Sequence, residues 1–330
     1  MLSVYCLASG GIRRLERSNN NAPLPEEATW LDLFEPTTEE ERLVEARLGL
    51  DIPTREEMRE IESSSRLYEE EGALYLTATV VTKLDTTLPE NAQVTFILKG
   101  SRLVTNRYVD PLPFRRFAAH IERHPQAGTS AQTVLAGLLE SIVNRIADVI
   151  ERVGSDIDGA SAEIFNRQQL QANTARRART QRDFRKLLER VGQSGELIAK
   201  ARESLASLSR LLAFAQQSTV AMTPEVRTRL RTLSKDVVAM SDHASFLATN
   251  LNFILDATLG MINIDQNNIL KIFSVVTVFL LPPSVIGAIF GMNFAHIPTS
   301  QNPEGFWIAL GLMVLSSVLP YLWFRRKGWL

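Results

Sequence analysis

Leu270, Ser274, Thr277, Leu281, Ser284 and Ala288 follow one another at alternating spacings of four and three, and Asn267 continues the series inward by three. In a helix that spacing places them on one stripe. A stripe of small and hydroxyl side chains serves one of two chemistries, close helix–helix packing or a wetted pore wall. Packing is the ordinary reading of Ser and Thr. Asn267, at the edge of a charge-free run, and Asp256, three turns earlier, favour the pore. Pro282-Pro283 lies inside the same segment, removing backbone donors and bending the helix. That is tolerated where neighbours or water resatisfy the freed carbonyls.

The elements that must hold this stripe are two apolar spans. Residues 272–290 and 306–324 carry no charge, and each would reach about 28 Å as a helix, close to the thickness of a hydrocarbon core. Lys271 precedes the first span and Arg325-Arg326-Lys327 follow the second, while the loop 291–305 has neither Lys nor Arg. The positive-inside rule therefore puts both ends in the cytoplasm and the loop outside, with Trp307, Tyr321, Trp323 and Trp329 near the interfaces. A two-helix hairpin cannot enclose a channel, so a pore requires a ring of subunits with closed symmetry.

Upstream, Thr223 as N-cap and Pro224 at the first helical position open a helix with no strong breaker before Pro282. Run to Phe290, it would be roughly 100 Å long, the length of a stalk entering a membrane. Residues 131–217 contain no proline and are rich in helix formers. Val134, Leu138, Leu139, Ile142, Ile146, Val149, Ile150 and Val153 recur there at helical spacing. The basic residues Arg167, Arg176, Arg177, Arg179, Arg182, Arg185, Lys186 and Arg190 read as a solvated helix face, because no aromatic side chains are interleaved to stack bases, and no nucleic acid is expected.

Residues 1–125 read as a mixed α/β domain. Strand-like runs lie at Ser3–Ala8, Ala28–Phe34, Ala73–Thr82 and Gln93–Leu98. Thr38 with Glu41 and Thr54 with Glu57 have capping-box spacing and predict two short acidic helices. The expected organisation is this domain, a long-helix region over 126–270, and a transmembrane hairpin over 271–330.

The full chain of 330 residues has 36 basic and 37 acidic side chains, yet 32 of the former and 36 of the latter fall in residues 1–270. A charge-rich body ahead of a nearly charge-free tail excludes a simple soluble enzyme. One cysteine (Cys6) and four scattered histidines (His120, His124, His243, His296) exclude a disulfide framework and a Cys/His zinc cluster. The start lacks a basic region followed by a long apolar core, so no cleaved signal peptide is expected. No nucleophile–base constellation stands out, and an enzyme is not expected.

The run Phe290-Gly291-Met292-Asn293-Phe294 closing the first span, the two C-terminal spans and the basic-aromatic end resemble the CorA family of divalent-cation channels. Residues 262–276, Leu281-Pro282-Pro283, the opening Met1-Leu2-Ser3 and Trp30-Leu31-Asp32-Leu33 are similar to its proteobacterial branch. The resemblance implies a homopentameric funnel with an α/β cytoplasmic domain, in the bacterial inner membrane. It implies Mg2+ as transported and regulatory ion, with Co2+ and Ni2+ also carried, and no bound cofactor. The filter would be Gly291, Met292 and Asn293, with Asn293 holding hydrated Mg2+ through its waters. Asn267 would form an inner asparagine ring, Asp256 a funnel carboxylate, Leu270, Thr277 and Leu281 constrictions, and Ser284 a hydroxyl ring, with Ser274 on the same wall.

Departures from the family pattern concern the outer loop. Many members continue with Phe-Glu-x-Met-Pro-Glu-Leu; this chain has Phe294-Ala295-His296-Ile297-Pro298-Thr299-Ser300, leaving Glu304 as the one outer acid. His296 would favour a softer ion if it faced the path, although a solvent-facing loop histidine is the plainer reading. The zinc-transporting branch usually varies the middle filter residue, and this chain keeps Met292, which points to Mg2+. Asp85 and Asp236 are candidates for regulatory Mg2+, against a reading as ordinary surface acids. A Zn2+, Co2+ or Ni2+ transporter of the same architecture and a non-transporting membrane-tethered sensor are the alternatives.

Overall fold

The computed structural model describes the chain except residues 9–10, 16–23, 61, 84–88, 125–128, 171–176, 293–303 and 328–330. It divides into two units, Met1–Leu255 and Asp256–Leu330. The first holds β1 (Leu2–Ala8), β2 (Gly11–Leu15), β3 (Ala28–Phe34), α1 (Thr38–Leu48), a 3-10 turn (Glu57–Arg59), α2 (Ser63–Arg66) and β4 (Leu67–Glu70). There follow β5 (Ala73–Thr82), β6 (Glu90–Lys99), β7 (Arg102–Arg107), α3 (Leu112–Arg123), α4 (Ala131–Leu170) and α5 (Arg177–Gln217). Helix α6 (Pro224–Phe290) contributes to both units, and α7 (Gly305–Arg326) belongs to the second.

The strands make one sheet in the order β2-β1-β3-β7-β6-β5-β4. Among the described residues only the β3–β7 pair is parallel. Every residue of β5 is buried, as expected of a strand covered on both faces. Alternation sorts β3 in the same way. Leu31 and Leu33 join the core that α1 closes through Val44. Trp30 instead packs with Tyr5, Phe114 and Phe117, the last two from α3.

β4 begins only at Leu67, which pairs with Leu76, and this leaves the rest of that edge of β5 open. Helix α5 closes it: Thr79 N–H donates to Ser207 Oγ at 2.9 Å, and Ser204 Oγ donates to Thr79 O at 2.7 Å. Two serines one turn apart thus stand in for a missing strand and meet the requirement that buried backbone groups be paired.

The apolar stripe expected on α4 is buried along its whole length. Gly137 sits under Phe117, and a Cβ there would fall 2.3 Å from Phe117 Cε2. Glycine is what lets α3 lie this close to α4. Helix α6 begins where Thr223 and Pro224 predict, with Thr223 Oγ1 accepting from Val226 N–H.

The capping expectations need two corrections. The box of α1 is Thr37 with Glu40, one residue before the expected Thr38–Glu41 pair. Glu40 also accepts from Leu2 N–H at 2.9 Å, a bond that selects between two overlapping candidates. Thr54 and Glu57 do exchange capping bonds, but only the 3-10 turn follows them. Five elements lie outside the sequence expectations: β2, β4, β7, α2 and α3.

Candidate functional site

Helix α6 is unbroken from Pro224 to Phe290, so the predicted stripe is a single face. Asp256, Asn267, Leu270, Ser274, Thr277, Leu281 and Ser284 are all exposed in the single chain. Leu270 and Leu281 are 63% and 57% exposed, which for leucine on a membrane-crossing helix leaves a face to be covered by something else.

The hydroxyls of this face are partly occupied. Ser274 Oγ donates to Leu270 O at 2.9 Å, Thr277 Oγ1 to Phe273 O at 2.8 Å, and Ser284 Oγ to Leu280 O at 2.6 Å. Each gives its one proton to the carbonyl four residues back and keeps oxygen lone pairs for an outside donor. The stripe is therefore a line of acceptors, suited to water whose hydrogens point outward from a cation.

The opposite side of α6 packs on α7. At 100° per residue, Phe279 lies opposite the stripe, with Pro283 about 140° and Gly287 about 100° from its centre. The ring of Phe279 stands 6.0 Å from that of Tyr321. A Cβ on Gly287 would come 3.2 Å from Met313 Cε. Between these contacts Ser317 Oγ donates to Phe279 O at 3.0 Å. That carbonyl is the one orphaned by Pro283, since proline has no N–H to return four residues back. The expected resatisfaction of a freed carbonyl is thus done by a named side chain. Both helices are long and apolar enough to cross a membrane.

At the end of α6, Gly291 N–H still reaches Gly287 O at 3.0 Å, and Met292 is exposed. Asn293 and His296 lie outside the described residues, as does Asp85. Glu304 is exposed at the start of α7, where its backbone oxygen accepts from Trp307 and Ile308. Asp236 is exposed on α6, and no group of three or more His, Cys, Asp or Glu gathers around it or elsewhere among the described residues. The side chains of the basic stretch up to position 183 are also outside the description; beyond it, Arg185 pairs with Glu189 and Arg190 with Glu163, as on a solvated helix face.

Two polar devices escaped sequence reading. Arg229 on α6 binds Glu140 on α4 through two hydrogen bonds of 2.9 and 2.7 Å. The Glu140 hydrogen bond holds the guanidinium's pKa above its ordinary value, against the effect of burial. In the sheet, Arg107 grips buried Asp32 at 3.0 and 2.9 Å, while Thr105 Oγ1 donates to the same carboxylate at 2.8 Å. Burial would lower the Arg107 pKa, but Asp32 and then Asp110 more than offset it and raise it. Burial, then the charge of Asp32, pushes the nearby Tyr5 phenol up to about 12. The one signal available was Trp30-Leu31-Asp32-Leu33, an acid inside an apolar strand.

An α/β sheet unit with long helices, one of which runs on into a two-span hairpin with an acceptor-lined face, defines a membrane protein of the ion-transporter class. The chain belongs to the CorA-like Mg2+ transporter protein family, whose model matches residues 25–326. It is 32% identical to the magnesium transport protein CorA of Pasteurella multocida strain Pm70, over 330 residues and the whole of both chains. It is 30% identical to the protein of that name from Haemophilus influenzae, again over the whole of both. Among solved structures, the CorA magnesium transporter from Methanocaldococcus jannaschii shares its fold, with a TM-score of 0.76 at 18% identity, covering 100% of this chain and 99% of that one. The full-length CmaX protein does so with a TM-score of 0.69 at 17% identity, covering 100% and 98%.

Proposed function

We propose that this chain assembles as a homopentamer in the bacterial inner membrane and passes Mg2+ into the cytoplasm down its electrochemical gradient. The observation that carries the reading is the α6 face on which Ser274, Thr277 and Ser284 spend their protons on their own helix and turn acceptor lone pairs outward. Such a face is ill-suited to lipid and well suited to a wet lumen, which five copies would enclose. Mg2+ dehydrates reluctantly, so neutral oxygens that accept from its waters can select it without holding it too tightly.

On this reading Asn293 forms the outer ring and Asn267 the inner one, Asp256 concentrates cations, and Leu270 and Leu281 narrow the path. Co2+ and Ni2+ pass by the same route. For a divalent ion the membrane potential supplies about 4.6 kcal/mol per 100 mV, so the reading asks for no nucleotide and no bound cofactor. Cytoplasmic Mg2+ acting at Asp85 and Asp236 would close the path.

The test is metal uptake by proteoliposomes holding purified protein under an inside-negative potential, wild type beside Asn293→Ala. Mg2+ entry that the substitution removes, with assembly intact, is the expected result. Zn2+ or Co2+ entry indifferent to excess Mg2+ would reassign the ion, and absence of any flux would favour a membrane-tethered sensor.

A further inference from the structure

His120 and His124 looked unrelated in the sequence, but α3 brings them together. His124 caps the helix, and its N–H donates to His120 O at 2.8 Å, so the helical repeat still holds at the cap and stacks one residue over the other. Both side chains are exposed. Their ring centres are 4.5 Å apart with 26° between the planes. Neither ring makes a hydrogen bond among the described residues. We propose that His120 and His124 form a two-imidazole site for first-row transition-metal dications such as Ni2+, Zn2+ and Co2+.

The reach suits chelation once the rings turn. An imidazole nitrogen binds Zn2+ at about 2.0–2.1 Å with its ring centre about 1.1 Å further back, so two rings on one tetrahedral ion have centres about 5 Å apart, close to the spacing of this stacked pair. As they stand the rings are stacked with 26° between their planes, so binding requires each exposed ring to turn at its Cβ until one nitrogen of each faces the ion. The charges nearby are balanced. Arg116, one turn before His120, and Arg123 oppose a cation, while Glu122 on α3 and Asp148 on α4 favour it. Asp148 lines the same cleft as His120. Its ion pairs with Arg116 and Arg145 measure 3.9 and 3.8 Å, too long for hydrogen bonds, so the carboxylate can turn toward an ion.

Ligand type sets the specificity. Imidazole suits Zn2+ and Ni2+, whereas Mg2+ takes oxygen ligands and keeps its waters. The site is therefore separate from the Mg2+ path on α6 and stands whether or not that reading holds. Bound metal would clamp the last turn of α3, the helix that rests on α4 at Gly137.

The experiment is calorimetric titration of the full-length, tag-free chain in detergent with Ni2+, repeated in a large excess of Mg2+. One Ni2+ per chain, undisturbed by Mg2+, is expected. His120→Ala and His124→Ala should each weaken binding by about tenfold or more, because one imidazole remains. His243→Ala and His296→Ala should leave it unchanged. Since both rings are exposed, the metal-free thermal unfolding of the α3 variants should match wild type. Absence of Ni2+ binding, binding that survives both α3 substitutions, or displacement by Mg2+ would overturn the proposal.

Discussion

Ser317 Oγ on α7 donates to the Phe279 carbonyl of α6 at 3.0 Å, filling the bond that Pro283 cannot make. A polar side chain on one span thereby permits a proline pair on the other. It also locks the register of the hairpin, because Phe279–Tyr321 and Gly287–Met313 fall in step one turn to either side.

Ser317→Ala strands that carbonyl in apolar surroundings and should cost about 1–3 kcal/mol. Pro283→Ala supplies an N–H to the same acceptor, so Ser317→Ala should cost much less in that background. A double-mutant cycle on thermal stability in detergent checks this; strictly additive losses would mean that the bond has no role.

On the exposed face of α6, Thr277→Val and Ser284→Ala remove outward acceptors while sparing the helix, whose hydroxyl back-bonds stabilise little. Mg2+ uptake should fall several-fold in each with assembly unchanged. Val278→Thr, off the stripe by one residue, should leave uptake as it was.

Gly137→Ala would push a methyl to within 2.3 Å of Phe117 Cε2. The expected loss of stability is about 1–3 kcal/mol, as for other overpacked sites. Phe117→Leu in the same chain should return part of it, which denaturant unfolding of single and double variants would show.

Acid should unfold the sheet unit partly through Glu40. Burial would raise its pKa, but hydrogen bonds from the Met1 ammonium and from Thr37 and Leu2 N–H outweigh burial and hold it below its usual 4.5. A carboxyl so lowered contributes stability in full above about pH 4.5 and loses it as pH falls through the depressed value. Glu40→Gln should flatten the stability profile in that window and leave its slope near neutrality alone.

Local patterns carried much of this fold. The α4 stripe, the strand at Ala73–Thr82 and the Thr223-Pro224 start of α6 each follow from neighbours a few residues apart. β7 was missed because Arg102-Leu-Val-Thr-Asn-Arg reads as polar. Asn106 and Arg107 are nevertheless buried, one donating to Pro53 O and the other held by Asp32. Thr37–Glu40 and Thr38–Glu41 have the same spacing, and the bond from Leu2 N–H that separates them is formed across the chain.

The sequence by itself determined the two spans, their flanking charges and the stripe from Asn267 to Ser284, because helical periodicity and the hydroxyl bond to the carbonyl four residues back depend only on near neighbours. Tertiary structure decided which carbonyl Ser317 rescues, which carboxylate Arg107 holds and how α3 settles on Gly137. Those partners lie 38, 75 and 20 residues apart in the chain, and no local period specifies a contact that forms only when the intervening loops have closed.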